Sequence, residues 1–486
     1  MGVPVLVMLA LGLWGLDRGG MWRDEAVTFQ VGRRTVPQIW RLLHGVDAVH
    51  GLYYLLVHAV LTVHPGEVVL RLPSVCAAAA TAGLVAALGV RLARPRVGLW
   101  AGLLYAGTPM AGHYAQEGRS YALVAAGATG ATLLFVRAVR GGSAGSWWAY
   151  GALLGLTCWL HEFAVLLLPA HAVSLALGRA GARVWRRWGC AAGAVVLVLL
   201  PMVAVSHGQA AQVAWLRRPT AATAEELLRA FLGPTWMVCA VCLALALVGA
   251  GGLLGQARGI TLPGVALPLT VIPPFTLMAV SQFSPLYVDR YVLYALGGAP
   301  LLVAAGADRV ARAAGRLRPA GPLVTALGVF AVTLSLLHQL PLLRADRDPE
   351  TRPDDLGAVA RVAGREIEAG DPVLFLPAST RNTALTYPGA FRGTRDVALL
   401  QGAARSGTLY GREVRPGELR RRLARLDRVW VVADQELLAG DWTPTSRTER
   451  TKLAILDADF TVSRNTTRDG AVVRLYTRRP HLPRPH

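Results

Sequence analysis

Two adjacent acids, Asp24 and Glu25, stand in Gly19-Gly20-Met21-Trp22-Arg23-Asp24-Glu25-Ala26, directly after the first apolar stretch of the chain. Carboxylates beside a bilayer are costly to desolvate and are usually retained for proton transfer, ion binding or pairing. The ordinary alternative is a wet loop just past a helix end. A carboxylate placed here has the chemistry of a general base, able to take the proton of an attacking hydroxyl. Four further groups carry chemistry: Asp47 to Tyr54 with His50, Glu117 with Arg119, His161-Glu162, and Asp289-Arg290. Arginine is suited to a phosphate because its planar fork makes bidentate contacts that lysine does not. The alternative use of Arg119 and Arg290 is interfacial snorkelling or pairing with Glu117 and Asp289. Glu117 equally fits an acid near a helix N-terminus, where the dipole favours it. His161 beside Glu162 is too few ligands for zinc, which needs three or four.

The elements that must hold these residues are membrane helices. Of 486 residues 53% are hydrophobic and 16% charged, against about 25% charged in a soluble globular domain. Apolar windows recur near 1–16, 67–90, 97–113, 118–136, 147–160, 163–178, 189–206, 236–254, 260–280, 287–306 and 320–341. That makes about eleven segments approaching the roughly 20 residues a spanning helix needs. The first is short and has neither a basic leader nor a small-residue cleavage site, so it reads as a helix and not a removed signal. Five cysteines, Cys76, Cys158, Cys190, Cys239 and Cys242, all fall in apolar windows. They read as small packing residues and not as disulfides or metal ligands.

The formal charge of +20 does not indicate nucleic acid, because the arginines are scattered over short loops and the tail. They sort instead by loop. Arg91, Arg94 and Arg96, then Arg137 and Arg140, then Arg179, Arg183, Arg186 and Arg187, then Arg258, then Arg309, Arg312, Arg316 and Arg318 mark one side, with Asp308 the acid among them. The positive-inside rule makes that side cytoplasmic. Asp24, Glu25, Glu117, His161, Glu162, Glu225, Glu226, Asp289 and Arg290 then face outward. The turn at His161-Glu162, between two short windows, is expected to dip below the outer surface into a protein-lined cavity.

Residues 343–486 form a polar tail that an odd number of spans leaves on the outer face. Helical stretches at Asp355 to Ala369 and Pro416 to Leu426 alternate with strands at Val373 to Leu376, Val429 to Val432 and Val472 to Tyr476. A small α/β domain is predicted. It holds no glycine-rich phosphate loop, so nucleotide binding has no support. The expected division is a transmembrane domain at 1–342, with an outer loop at 17–66, and an extracytoplasmic domain at 343–486.

Several motifs in fixed order carry a resemblance: Trp22-Arg23-Asp24-Glu25-Ala26, His50-Gly51-Leu52-Tyr53-Tyr54, Arg71-Leu72-Pro73-Ser74, Tyr114 to Leu123 around Gln116-Glu117-Gly118-Arg119, and Val288-Asp289-Arg290-Tyr291. Over residues 1–306 the chain resembles the bacterial branch of the polyprenyl-phosphate-sugar-dependent glycosyltransferases of the GT-C fold. Protein O-mannosyltransferases and the aminoarabinose transferase of lipid A belong to this group. The resemblance implies a helical bundle with an outward-facing cavity where a lipid-phosphate sugar meets an acceptor, and an acid of the first outer loop as base. Asp24 matches that acid, and Glu25 supports it. His50, Tyr54, Glu117, Arg119, His161, Glu162 and Arg290 become candidate substrate contacts.

These assignments make an inverting transfer, since one base opposite a leaving phosphate suffices. The donor is a polyprenyl-phosphate sugar, by resemblance mannose. The acceptor is a hydroxyl of a protein, a lipid or a polysaccharide. No cofactor is expected, with a divalent metal at Asp24 and Glu25 as the alternative, because arginines suffice for one phosphate. A lipid or sugar transporter places charges near the midplane and shows repeats, neither of which is evident. A non-catalytic scaffold for envelope assembly is the third reading. The near-absence of lysine beside abundant Arg, Ala and Gly suggests a bacterial plasma membrane.

Overall fold

A computed structural model describes residues 1–17, 20–213, 215–254, 259–314, 321–348, 354–468 and 470–480. The chain divides into two compact units, one of Met1–Leu16, Ala48–Tyr53 and Arg71–Asp346, the other of Asp17–Asp47, Tyr54–Leu70 and Arg347–His486. Each is described by itself.

The first unit is a helical membrane bundle. Among the described residues seven helices are long and apolar enough to cross a bilayer: Glu67–Leu92, Tyr121–Val139, Ala182–Gly208, Trp236–Leu253, Leu262–Val280, Asp289–Ala314 and Gly321–Ala345. The other predicted windows are also helical but shorter. Gly2–Leu13 and Ala144–Leu160 are single helices. The window at 97–113 is broken into Pro95–Gly107 and Pro109–Ala115, because Pro109 lacks an N–H and restricts Thr108 to extended backbone. The window at 163–178 opens with a 3-10 turn, Glu162–Leu166, before Leu167–Leu177.

Small residues set the closest packing. Gly249 and Gly306 bring Trp236–Ala250 against Gly298–Ala314, and a Cβ at either would run into the backbone carbonyl of Leu302 or Leu245. Glycine pairs of this kind let membrane helices approach backbone to backbone. Asp308, predicted as the acid among the arginine loops, is buried and gathers Arg96 at 2.6 Å, Arg312 at 3.1 Å and Arg94 at 3.5 Å.

In the second unit a five-stranded mixed sheet runs in the order β2-β1-β5-β7-β6, with β1 Pro372–Leu376, β2 Arg395–Asp396, β5 Arg428–Asp434, β6 Phe460–Arg468 and β7 Ala471–Arg478. A separate two-stranded ribbon pairs β3 Leu399–Gln401 with β4 Arg412–Glu413. Strand β1 is parallel to β2 and β5, and β7 is antiparallel to β5 and β6. All five residues of β1 are buried, as expected for a strand covered on both faces. The three strands and two helices expected in the tail are present. The sequence reading did not identify β6 or the helix Arg447–Asp459, because their polar residues hide the apolar period.

Residues 17–47 and 54–70 pack into this second unit and contribute the helix Arg23–Gly32. Val27, Val31, Ile39, Leu42 and Tyr54 form a buried cluster with Leu409 and Tyr410 against it. Gln30 donates to the carbonyl of Leu409 at 3.0 Å. The loop that follows the first membrane helix is thus folded on the C-terminal residues.

Candidate active site

Within the bundle, the motif residues divide into holders and site groups. Arg71 is fully buried and donates to the Leu16 carbonyl at 3.0 Å. Gln116 donates to the carbonyls of Gly12 and Trp14 at 2.9 and 2.8 Å. Ser74 donates to the carbonyls of Glu117 and Arg119 at 2.6 and 3.2 Å. Gln116 and Ser74 tie the bend Gln116–Ser120 to the end of the first helix and to Glu67–Leu92, and Arg71 ties Glu67–Leu92 to Leu16.

That bend delivers Arg119, whose guanidinium donates to Nε2 of His50 at 2.9 Å and lies 5.9 Å from the Tyr121 ring. Arg290 comes from the 3-10 helix Asp289–Gly297. Its Nε donates to the Tyr121 hydroxyl at 3.2 Å, and its guanidinium lies 5.9 and 5.7 Å from the rings of Tyr121 and Tyr291. His161 sits 4.6 Å from the Tyr291 ring. His50, Arg119, His161 and Arg290 are therefore brought together on Tyr121 and Tyr291. Glu117 is buried at the same bend, and the Tyr114 hydroxyl reaches Asp289 at 3.5 Å.

Burial and the two neighbouring guanidiniums both disfavour a charge on either imidazole. Burial first, then Arg119, His161 and Arg290, hold His50 well below its ordinary range. Burial, then Arg119 and Arg290, hold His161 down at about 3. Chemically, the cluster combines positive charge with several polar hydrogens, a set of groups that suits an anion such as a phosphate. Glu162 departs from the cluster: its carboxylate accepts from Ser206 at 2.9 Å, and burial pushes its pKa up.

The second unit holds Asp24, Glu25 and Tyr54. Asp24 is half-buried in the first turn of Arg23–Gly32, and Glu25 is 1% exposed. Adjacent helical positions point about 100° apart, so the two carboxylates leave the helix in different directions. Arg23 faces Asp354 at 3.4 Å, and its carbonyl accepts from Asn382 at 3.0 Å. Tyr54 does not stand alone; its hydroxyl donates to Asp47 at 2.7 Å, and Asp47 has a positive φ of 58°. An aspartate held in the left-handed region marks a constrained position.

Two residues near Asp24 were not singled out from the sequence. Asp47 was noted only as a carboxylate ahead of His50. Tyr410 had no sequence signal; it lies in a loop, and burial, then Asp47, pushes its phenol up to about 12, with Arg23 and Asp24 also acting on it. Arg381 donates to the Tyr410 carbonyl at 2.8 Å and is itself paired with Asp396 at 2.6 Å and Glu413 at 2.7 Å. Among the described residues no three His, Cys, Asp or Glu side chains gather where they could hold a metal ion.

Residues 50–206 match the family described as dolichyl-phosphate-mannose-protein mannosyltransferase. This stretch contains His50, Glu117, Arg119, His161 and Glu162. The chain is similar in structure to ArnT from Cupriavidus metallidurans in the apo state, with 14% identity, 97% of each chain covered and a TM-score of 0.61. ArnT bound to undecaprenyl phosphate gives a TM-score of 0.60 at 14% identity, again with 97% of each chain covered. An Archaeoglobus fulgidus oligosaccharyltransferase in complex with zinc and sulfate gives 0.53 at 10% identity, covering 90% of this chain and 68% of its own. No curated protein sequence matches the chain. The expectation drawn from the motifs holds for the architecture: the chain has the GT-C fold, helical and membrane-embedded with a small C-terminal α/β region.

Proposed function

We propose that this GT-C protein is a membrane glycosyltransferase that moves a sugar from a polyprenyl-phosphate donor to a hydroxyl acceptor on the outer face of a bacterial plasma membrane. The observation that carries this reading is the convergence of Arg119 and Arg290 on Tyr121, within or beside the segment that matches the mannosyltransferase family. Undecaprenyl phosphate bound to ArnT, a protein of like fold, agrees with a lipid phosphate as ligand.

In this reading Arg119 and Arg290 hold the donor phosphate and stabilise it as it leaves, by charge-assisted hydrogen bonds that strengthen as its charge grows. Asp24 takes the acceptor proton, and transfer inverts the anomeric carbon. Glu25 and Tyr54 support the acid region, and Glu117 orients sugar or acceptor. Mannose is the proposed sugar, on the family description of residues 50–206. The acceptor is a hydroxyl of protein, lipid or polysaccharide. Two cations for one phosphate favour a mechanism without a metal.

The test is release of undecaprenyl phosphate from synthetic undecaprenyl-phosphate mannose, arabinose and galactose by membranes containing the protein. Release from one donor, unchanged by a chelator, supports the reading. Activity lost to the chelator and restored by manganese or magnesium contradicts the metal-free mechanism, and absence of release from every donor contradicts the transferase.

A further inference from the structure

The proposed donor gains negative charge as it reacts, and the cluster on Tyr121 and Tyr291 contains two imidazoles with no role so far. His161 is 7% exposed, and its Nδ1 has no hydrogen-bond partner among the described residues. A buried polar nitrogen in that state is uncommon and points to a missing ligand. Its ring lies between Tyr291 at 4.6 Å and Tyr121 at 5.9 Å, the two rings that also carry Arg119 and Arg290. His50 is hydrogen-bonded to Arg119.

Arg119 and Arg290 act on both imidazoles, and His161 also acts on His50. Asp289 and Glu117 act on the neighbouring Tyr114. Glu162, next in sequence to His161, is turned to Ser206.

Resting on the reading that this cluster holds the lipid phosphate, we propose that His161 contacts the leaving phosphate and takes up a proton as that phosphate becomes a dianion, with His50 as a second imidazole in the same field. During transfer the bond between the anomeric carbon and the phosphate oxygen breaks, and its electron pair stays on that oxygen. The carbon bonds to the acceptor oxygen, whose proton goes to Asp24. A phosphodiester with one negative charge thereby becomes a monoester with two. The proton on His161 comes from water and returns there when the product leaves.

Magnitudes decide between the two charge states. A group held at about 3 favours the neutral form roughly ten-thousandfold at pH 7. One negative charge at about 4 Å, in an effective dielectric of about 20, favours the imidazolium by roughly a thousandfold. The singly charged donor thus leaves His161 neutral, and the doubly charged product protonates it. An interaction that grows only with the leaving charge lowers the barrier, whereas one equal in both states does not.

Isothermal titration of the full-length protein in detergent tests this, with undecaprenyl phosphate and its methyl diester as probes at pH 7 in two buffers of different ionisation enthalpy. The monoester is expected to bind with uptake of about one proton and the diester with little, by linkage between charge and proton binding. The free monoester, with a second pKa near 6, would itself release protons on binding as a dianion, so net uptake belongs to the protein. His161→Gln should remove at least half of the uptake and weaken the monoester roughly tenfold, the diester much less. If neither lipid binds, the donor reading itself fails. Monoester binding without uptake, or uptake unchanged in both His161→Gln and His50→Gln, overturns the proposal. Should the variants not fold, the monoester and diester on the unaltered protein still decide it.

Discussion

Arg119 donates a 2.9 Å hydrogen bond to Nε2 of His50, joining the Gln116-Glu117-Gly118-Arg119 bend to the turn before Tyr53 and Tyr54. The acceptor nitrogen must be unprotonated to receive it, so the pair consists of a cation and a neutral imidazole. The positive charge of this pair therefore lies on the guanidinium, and the imidazole adds none.

The arginines should not tolerate lysine. Arg119→Lys and Arg290→Lys keep the charge and lose the planar fork, together with the hydrogen bond from Arg290 Nε to Tyr121. Each is expected to lower kcat/KM for a lipid-phosphate sugar by about ten- to a hundredfold, the worth of one hydrogen bond to a charged group. Steady-state kinetics on the donor selected above checks this; equal activity of both lysine variants would show that charge alone is recognised.

The bundle should lose stability in acid through its buried histidines. His161 has a native pKa of about 3 against about 6.5 unfolded, so between those values the unfolded chain binds more protons. Stability is then complete above about pH 6.5 and falls as pH drops towards 3. At pH 5 the loss for this one group is about 2 kcal/mol. Thermal unfolding in detergent at pH 7.5 and pH 5, for the unaltered protein and His161→Gln, measures it. The variant should show the smaller acid shift.

The second unit depends on a buried charge network around Arg381, which pairs with Asp396 and Glu413 while Lys452 pairs with Glu413 at 2.8 Å and donates to the Phe375 carbonyl at 2.8 Å. Removing one partner leaves a buried charge uncompensated, at a cost of about 3–5 kcal/mol. Arg381→Ala should therefore expose the 407–411 loop to protease before the bundle melts. Limited proteolysis, read by the size of the first fragment, distinguishes this from global unfolding.

The fold was legible because lipid permits few solutions: apolar windows of spanning length had to be helices, and each of the eleven windows is helical. Their ends were less legible, since Pro109 and the 3-10 turns at Glu162 and Asp289 change local geometry without changing hydropathy. Arg119, Arg290, His50 and His161, which the structure brings together, stood out in the sequence because polar and charged groups in an apolar chain are conspicuous. Glu162 is conspicuous for the same reason, and its carboxylate accepts from Ser206, 44 residues away. Tyr410 was invisible, because a loop tyrosine carries no pattern and its place beside Asp47 depends on the tertiary contacts of Leu409 and Arg381.

The central claim is that Asp24 is the base of a lipid-phosphate glycosyl transfer, and Asp24→Asn tests it most directly because the amide keeps the shape and loses the basicity. Transfer from the active undecaprenyl-phosphate sugar should fall by about a hundred- to ten-thousandfold, the usual contribution of a general base, while undecaprenyl phosphate still binds with unchanged affinity. Full transfer activity in Asp24→Asn, with the protein folded and the lipid bound, would contradict the account.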